Sequence, residues 1–150
     1  MLTRDRIEEL FPNGAGQVEN ASDPDDAYNC VAWSVNDKSR WWWPFHVSSP
    51  YIYWPPDVPR EETMEAFVEL YEWLLFTKCD RADREEGYDK IALYAANDVP
   101  THTARLWQED RGWTSKLGEE QDVVHHSLAS LEGSVYGTVV HIMRRKRGRR

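Results

Sequence analysis

Residues 40–59 are the part of this sequence that most restricts what the chain can fold into. The segment contains five prolines, and proline inside a helix removes a hydrogen bond and clashes with the preceding turn. It also carries six Trp and Tyr residues, which are Trp41, Trp42, Trp43, Tyr51, Tyr53 and Trp54. The composition predicts a long extended loop. Its rings either pack against the rest of the protein or offer a stacking surface to a substrate, and in the second case the predicted substrate-binding residues are Trp42, Trp43 and Trp54.

The length of 150 residues fits a single domain. The sequence has no apolar run near the ~18 residues of a transmembrane helix, and its charged N-terminus does not resemble a signal peptide. It contains only two cysteines, which is too few for a disulfide-stapled scaffold, and we expect reduced thiols. These features predict a cytoplasmic protein without a transmembrane segment.

Charge is distributed unevenly along the chain. Six of the 18 Lys and Arg residues occupy the last seven positions, whereas residues 1–143 hold 26 acidic against 12 basic residues, a formal charge of −14. We therefore expect one domain over residues 1–143 and a disordered basic tail over residues 144–150. The acidic body argues against a nucleic-acid interface, except through the tail. The tail has three alternative roles: it contacts nucleic acid or an anionic membrane, it folds back on the acidic body, or it is a solvated end that improves solubility.

Hydrophobic periodicity predicts an α+β domain with helices first and a sheet second. Residues 61–76 have the clearest helical spacing, and further helices are expected at residues 3–10, from Cys30 to about residue 36, and at residues 122–131. The N-terminal helices should pack on a mainly antiparallel four-stranded sheet, because the connections between its strands are short. The predicted strands are residues 89–96, 101–107, 112–117 and 136–143.

Cys30 and His102 are the candidate reactive residues. Cys30 follows an acidic turn and should lie in the first turns of a helix, where the helix dipole lowers a thiol pKa below its usual value of about 8.5. Alternation along the predicted strand places His102 on one face with Ala104 and Leu106, and therefore inside the protein. A cysteine and a histidine placed in this way predict a nucleophile and its general base. The alternative is an inert buried thiol and a core histidine.

Several short motifs together resemble a family of small bacterial proteins that is classed as a domain of unknown function. They cover most of the chain and lie at residues 28–33, 42–44, 53–55, 90–94, 101–105, 113–118 and 136–137. The order of a cysteine helix, a histidine strand and a Gly-Trp strand is also similar to the papain-like and transglutaminase-like superfamily. That likeness implies a papain-like or transglutaminase-like core.

In the papain-like superfamily a third polar residue, on the strand after the histidine, orients the imidazole. The likeness assigns this role to Ser115, because the corresponding strand contains no Asp or Asn. Thr114 or Lys116 would take this role if the strand face were reversed, and Asp122 is a further possible orienting residue. The catalytic residues implied are therefore Cys30, His102 and Ser115, acting in a cysteine-dependent amidohydrolase: a peptidase, deamidase or transglutaminase-like enzyme that attacks a peptide or side-chain amide.

The alternative function is a non-catalytic protein-binding module, immunity or effector-like, in which Cys30 and His102 are structural. A protein or peptide partner is expected in both cases. The sequence has no metal-ligand spacing and no glycine-rich nucleotide motif, so neither a metal nor another cofactor is expected. The adjacent His125 and His126 would point in different directions on the predicted helix, with His125 facing solvent or bonding a carboxylate.

Overall fold

The computed structural model describes residues 1–148 and is built mainly from β-strands. The strands are β1 (Val18–Asn20), β2 (Trp41–Trp42), β3 (Ile52–Tyr53), β4 (Thr77–Cys79), β5 (Tyr88–Ala96), β6 (Val99–Leu106), β7 (Trp113–Lys116), β8 (Asp122–His125) and β9 (Thr138–Lys146). Seven of them form one antiparallel sheet in the order β1-β8-β7-β6-β5-β9-β4. The remaining two, β2 and β3, pair in parallel beside it.

The helices are short and each begins at a side-chain cap. They are α1 (Arg4–Leu10), α2 (Cys30–Ser34) and α3 (Met64–Trp73). The side chains of Thr3, Asn29 and Thr63 accept a hydrogen bond from an N–H group of the first turn, which satisfies a backbone donor that the helix itself cannot pair. No helix within residues 1–148 has the length and apolar character that crossing a membrane requires.

The predicted fold class is wrong. In place of N-terminal helices on a four-stranded, papain-like or transglutaminase-like sheet, the described residues form a seven-stranded antiparallel sheet with three short helices. The helix predicted at residues 122–131 is instead strand β8, followed by a 3-10 turn at Leu128–Leu131. All four residues of β8 are buried, because both faces of the sheet are covered. Residues buried on both faces lose the polar alternation that distinguishes a strand from a helix.

The sheet separates two apolar clusters. One lies under α2, α3 and the loop of residues 40–59, and its largest members are Tyr28, Trp42, Trp54, Phe67 and Tyr71. The other lies under α1 and the 3-10 turn, and includes Phe11, Tyr94, Leu106, Trp113 and Leu131. Side chains that alternate along β6 and β7 therefore enter two different buried environments.

The basic C-terminal segment begins inside the sheet. Strand β9 runs to Lys146, so the predicted boundary after residue 143 falls within a strand. Arg144 lies 2.5 Å from the Glu85 carboxylate, and Arg147 lies 2.9 Å from that of Asp89. These basic residues therefore contact the acidic body, which was one of the expected alternatives. Residues 149 and 150, also assigned to the tail, lie outside the described residues.

Candidate functional site

Asn29 sets the position at which α2, and with it Cys30, begins. Its Oδ1 accepts hydrogen bonds from the N–H groups of Ala32 and Trp42, both at 3.1 Å, and its Nδ2 donates to the Trp42 carbonyl at 3.0 Å. One side chain thus caps the helix and ties it to β2. The capping role of Asn29 explains why Cys30, the next residue, is the first residue of the helix.

Two residues of the sheet, Thr114 and Arg105, hold α2 in place. Trp33 Nε1 donates to Thr114 Oγ1 at 2.9 Å. The Arg105 guanidinium lies 3.9 Å from the centre of the Trp33 ring and donates to the Trp33 carbonyl at 3.1 Å. Arg105 is itself fixed by two hydrogen bonds to Asp110, each of 3.0 Å. The helix that carries Cys30 is therefore clamped over strands β6 and β7.

Strands β6 and β7 pair at one position only, between Arg105 and Thr114. Beyond that pair the ladder stops, and side chains join the strands instead. On the face under α1, His102 Nε2 lies 2.8 Å from Ser115 Oγ. The backbone N–H of Thr103, the next residue of β6, favours the ionised form of Cys30 and so lies close to its sulfur. Cys30 and His102 thus flank the same interruption of the sheet.

The hydrogen bonds of Ser115 continue to a second histidine. Ser115 Oγ lies 2.8 Å from His125 Nε2, and His125 Nδ1 lies 2.9 Å from the Ser127 carbonyl oxygen. A carbonyl oxygen can only accept a hydrogen bond, so Nδ1 of His125 carries the proton. The resulting chain of groups is His102, Ser115, His125 and the Ser127 carbonyl.

Both histidines are neutral near pH 7. Burial lowers the pKa of His125 to about 4, although the Ser127 carbonyl partly opposes the shift. Burial, and secondarily the nearby His125, lower the pKa of His102 well below its usual value.

The neutral state assigns each proton in the chain. Neutral His125, protonated at Nδ1, has a lone pair on Nε2, so the Ser115 hydroxyl donates to it. The Ser115 oxygen then accepts from the Nε2–H of His102. Nδ1 of His102 consequently carries a lone pair, and within residues 1–148 no hydrogen bond involves this atom. The chain thus holds His102 in the tautomer of a base at Nδ1.

Cys30 is a protonated thiol in this structure. Burial raises its pKa to about 11, and this outweighs the opposite effect of the N–H groups of Thr103, Val31 and Cys30 itself and of the Lys116 charge. The sequence led us to expect a lowered thiol pKa at the helix start. Cys30 does begin α2, but that helix has only five residues and its first side chain is buried. Desolvation therefore dominates.

Tyr136 covers the imidazole of His102. The two rings are stacked, with centroids 4.0 Å apart and planes at 10°. The rings of Tyr94 and His102 form a T-shaped pair with centroids 5.4 Å apart. The loop that presents Tyr136 is closed by two hydrogen bonds between Gly133 and Gly137. Gly137 has a φ of 75°, and a Cβ there would overlap the Ala95 carbonyl, so only glycine fits. His102 is 2% exposed as a result.

The structure joins the predicted residues His102 and Ser115 by a hydrogen bond on the face under α1, whereas Cys30 belongs to the cluster under α2. The predicted substrate-binding rings of Trp42 and Trp54 are instead buried in the core beneath the aromatic loop, which agrees with the packing alternative. Trp43 is half-buried, with its Nε1 donating to Glu62 at 2.7 Å.

A further orienting candidate, Asp122, lies away from His102. Its carboxylate accepts from the Tyr28 hydroxyl at 3.1 and 3.2 Å. Sequence reasoning missed His125 and Tyr136 as members of the site. An interpretation of residues 122–125 as a strand would have placed His125 on the same face as Val123. Within residues 1–148 no three His, Cys, Asp or Glu side chains are grouped closely enough to hold a metal ion.

These features define a class of protein with one antiparallel sheet, a cysteine at a short capped helix and a buried His–Ser–His chain beside it. The chain belongs to the family described as Domain of unknown function (DUF7689), whose model matches residues 19–144. That range includes Cys30, His102, Ser115, His125 and Tyr136, and it confirms the family resemblance of the motifs. The looser likeness to the papain-like superfamily is not confirmed. Neither the curated proteins nor the solved structures include a match to this chain.

Proposed function

We propose that this protein is a cysteine-dependent amidohydrolase that acts on a peptide or side-chain amide. The observation that carries the proposal is the His102–Ser115–His125 chain, with its two hydrogen bonds of 2.8 Å. This chain leaves a lone pair on Nδ1 of His102 on the strand that borders Cys30. Nucleophilic cysteine catalysis requires a neutral imidazole within reach of the thiol, so the proposal needs Cys30 and His102 to meet across the interruption between β6 and β7.

In the proposed reaction the Cys30 sulfur attacks the amide carbonyl carbon while Nδ1 of His102 accepts the thiol proton. The tetrahedral intermediate collapses as the C–N bond breaks, and His102 returns that proton to the leaving amine or ammonia. Water then attacks the thioester, with His102 as base, and releases the carboxylic acid and the free thiol. Ser115 orients the imidazole throughout, and the Ser115–His125 pair is a positioning unit that does not touch the substrate.

Access to the site requires movement of the Tyr136 loop. Tyr136 covers His102 in this structure, and the Cys30 thiol is protonated and buried. Displacing the ring admits substrate and water, which removes part of the desolvation that raises the pKa of Cys30. Trp43 lies at the surface of the aromatic loop and is the one predicted substrate-binding ring with an accessible edge. The two free cysteines suit the reducing cytoplasm, where we place the reaction.

The experiment incubates the full chain with a library of Gln- and Asn-containing peptides. It measures released ammonia, new amino termini and the intact mass of the protein. We expect amide cleavage and an acyl adduct on Cys30, with at least a ~100-fold loss in Cys30→Ser and His102→Gln. Cys79→Ser, the matched control, should retain full activity. Absence of both turnover and adduct from the wild type and from Tyr136→Ala would overturn the proposal.

The burial of Cys30, His102 and Ser115 favours a second candidate, a non-catalytic module that binds a protein partner. In this case the three residues serve stability, and the exposed Phe45, Val47 and Tyr51 of the aromatic loop contact the partner. Cys30→Ala would then leave partner binding intact while Tyr51→Ala weakens it. If the protein is an enzyme, turnover should instead be lost in Cys30→Ala and be less affected in Tyr51→Ala.

A further inference from the structure

A second region, on the far side of the sheet from Tyr136, contains a buried hydrogen-bond donor without a partner. Trp107 is 5% exposed, and its Nε1–H is a fully enclosed donor that makes no hydrogen bond. Leaving such a group unpaired costs about 1–3 kcal/mol, and in native proteins an unpaired buried donor calls for a specific explanation. Trp107 also lines an open cleft of about 600 Å³.

Arg145 borders the same cleft, and within residues 1–148 its guanidinium forms no direct ion pair with a carboxylate. Its guanidinium lies 4.6 Å from the centre of the Phe76 ring and 5.8 Å from that of Trp107. Its one side-chain hydrogen bond within residues 1–148 goes to the Leu74 carbonyl at 3.2 Å. Burial lowers the pKa of Arg145. The carboxylate of Asp89, which lies opposite Arg145 on strand β5, partly opposes this shift, and the repulsion of Arg147 adds to it. The guanidinium is thus half-buried with most of its donors available.

Other charges of the cleft are already paired. Arg147 contacts the carboxylates of Asp89 and Glu109, and Asp89 also accepts from the Gln108 N–H at 3.1 Å. Arg105, stacked on the Trp107 ring at 4.4 Å, is paired with Asp110. Within residues 1–148 the charged residues of the cleft lining that form no ion pair are therefore Arg145 and Lys146.

Leu75 supplies an apolar group at the edge of the cleft. It directly follows the C-cap of α3, has a φ of 73° and is 78% exposed. Glycine is the usual residue where a left-handed backbone follows a helix. In addition, a leucine side chain that stays exposed to water contributes no hydrophobic stabilisation. Both costs are explained when the side chain has a binding role, since strained backbone of this kind concentrates at functional sites.

We propose that this cleft binds a carboxylate ligand with an apolar body. The carboxylate pairs with the Arg145 guanidinium and, once that side chain shifts, accepts from the Trp107 Nε1–H. The apolar body lies on Leu75. The fork of a guanidinium matches the two oxygens of a carboxylate. This site is independent of Cys30 and His102.

The test follows the indole N–H signals of the eight tryptophans in ¹H–¹⁵N NMR spectra of the full chain, with Trp107→Phe assigning the relevant signal. The probes are hexanoate, acetate, hexanamide and inorganic phosphate. Hexanoate should shift the Trp107 signal saturably and at least about tenfold more tightly than acetate, because it buries several additional methylene groups. Hexanamide and phosphate should give no saturable shift. A short peptide ending in leucine, compared with its C-terminal amide, distinguishes a peptide terminus from a free acid as the source of the carboxylate.

The variants identify the groups responsible. Arg145→Gln should weaken hexanoate binding at least about tenfold, and Arg145→Lys, which keeps the charge but not the fork, should weaken it less. Arg144→Gln is the matched control on the same strand, because Arg144 is paired with Glu85, and it should bind as the wild type does. Leu75→Gly should reduce the preference for hexanoate over acetate. No saturation by hexanoate, equal binding by Arg145→Gln, or saturation by phosphate alone would overturn the proposal.

Discussion

The ring of Tyr136 lies flat on the imidazole of His102, with centroids 4.0 Å apart. The stack covers a face of the imidazole, whereas Ser115 bonds Nε2 at its edge. It joins the loop of residues 132–137 to the hydrogen-bond chain on β6, β7 and β8. The protonation state of His102 therefore depends on a side chain from a distant part of the sequence.

Removing the Tyr136 ring should raise the pKa of His102. In Tyr136→Ala water reaches the imidazole, and the desolvation that holds this pKa well below its usual value is reduced, so it should move toward about 6.5. The imidazole proton signals, followed against pH by NMR, measure the change. Tyr136→Phe keeps the ring and should keep the lowered pKa. An unchanged pKa in the alanine variant would mean that other groups exclude the water.

Ser115→Ala should destabilise the protein by about 2–4 kcal/mol, because it leaves the Nε2 atoms of two buried histidines without a partner. Urea unfolding measures the loss. Ser34→Ala is the matched control, since Ser34 is also fully buried and its hydroxyl bonds Tyr71 at 2.6 Å. Both variants should lose stability. Imidazole ¹⁵N shifts should show that the tautomer of His102 differs from the wild type in Ser115→Ala but not in Ser34→Ala. A wild-type tautomer of His102 in both variants would contradict the proton assignment.

The protein should lose stability as the pH falls below about 6.5. Unfolded histidine binds a proton near pH 6.5, whereas the pKa of folded His125 is about 4 and that of His102 is also lowered. The unfolded state therefore takes up more protons in this interval. Stability is complete above it and declines by about 1.4 kcal/mol per pH unit for each such histidine. Urea unfolding at several pH values measures the slope.

A histidine substitution tests the origin of that slope. His125→Gln should remove a large part of it, whereas His126→Gln, at an exposed neighbouring position, should leave it unchanged. Stability that does not vary between about pH 7 and about pH 5 would show that the two buried histidines titrate normally.

Arg147→Gln should cost about 3 kcal/mol, because it leaves the buried carboxylate of Asp89 without its cationic partner. The comparison is Arg6→Gln, whose pair with Glu9 is exposed and should contribute at most about 0.5 kcal/mol. Thermal and urea unfolding measure both. Equal, small effects would indicate that Arg147 is a solvated end of the chain, as a disordered tail would predict.

Leu75→Gly should stabilise the protein by about 1 kcal/mol, because glycine adopts the left-handed backbone of this position without steric cost. Leu74→Gly is the control: Leu74 has an ordinary negative φ of −86° and packs on the core, so this variant should be less stable. Urea unfolding again measures both. A loss of stability in Leu75→Gly would show that the leucine side chain packs usefully in the folded state.

The elements that sequence reasoning located correctly are those with a strong local signal. Strand β5 was expected at residues 89–96 and runs Tyr88–Ala96, and α3 lies within its predicted range of residues 61–76. Proline and aromatic content identified the loop of residues 40–59. In each case short-range spacing and backbone restrictions are sufficient, since they do not depend on distant partners.

The elements that sequence reasoning missed depend on partners far along the chain. Strands β1 and β4 have three residues each and exist because β8 and β9 pair with them. Residues 122–125 became a strand because they pair with both β1 and β7. The basic residues at 144–147 contact carboxylates at positions 85 and 89. No window of neighbouring residues contains this information.

The sequence by itself determined the family, the aromatic loop and the start of the helix that carries Cys30. It also identified His102 and Ser115 as a candidate pair. Only the tertiary structure decided that His125 completes the chain, that Tyr136 covers it and that Cys30 is a protonated thiol. The physical reason is that protonation depends on burial and on hydrogen-bond partners, and both are set by strands and loops that meet from distant parts of the chain.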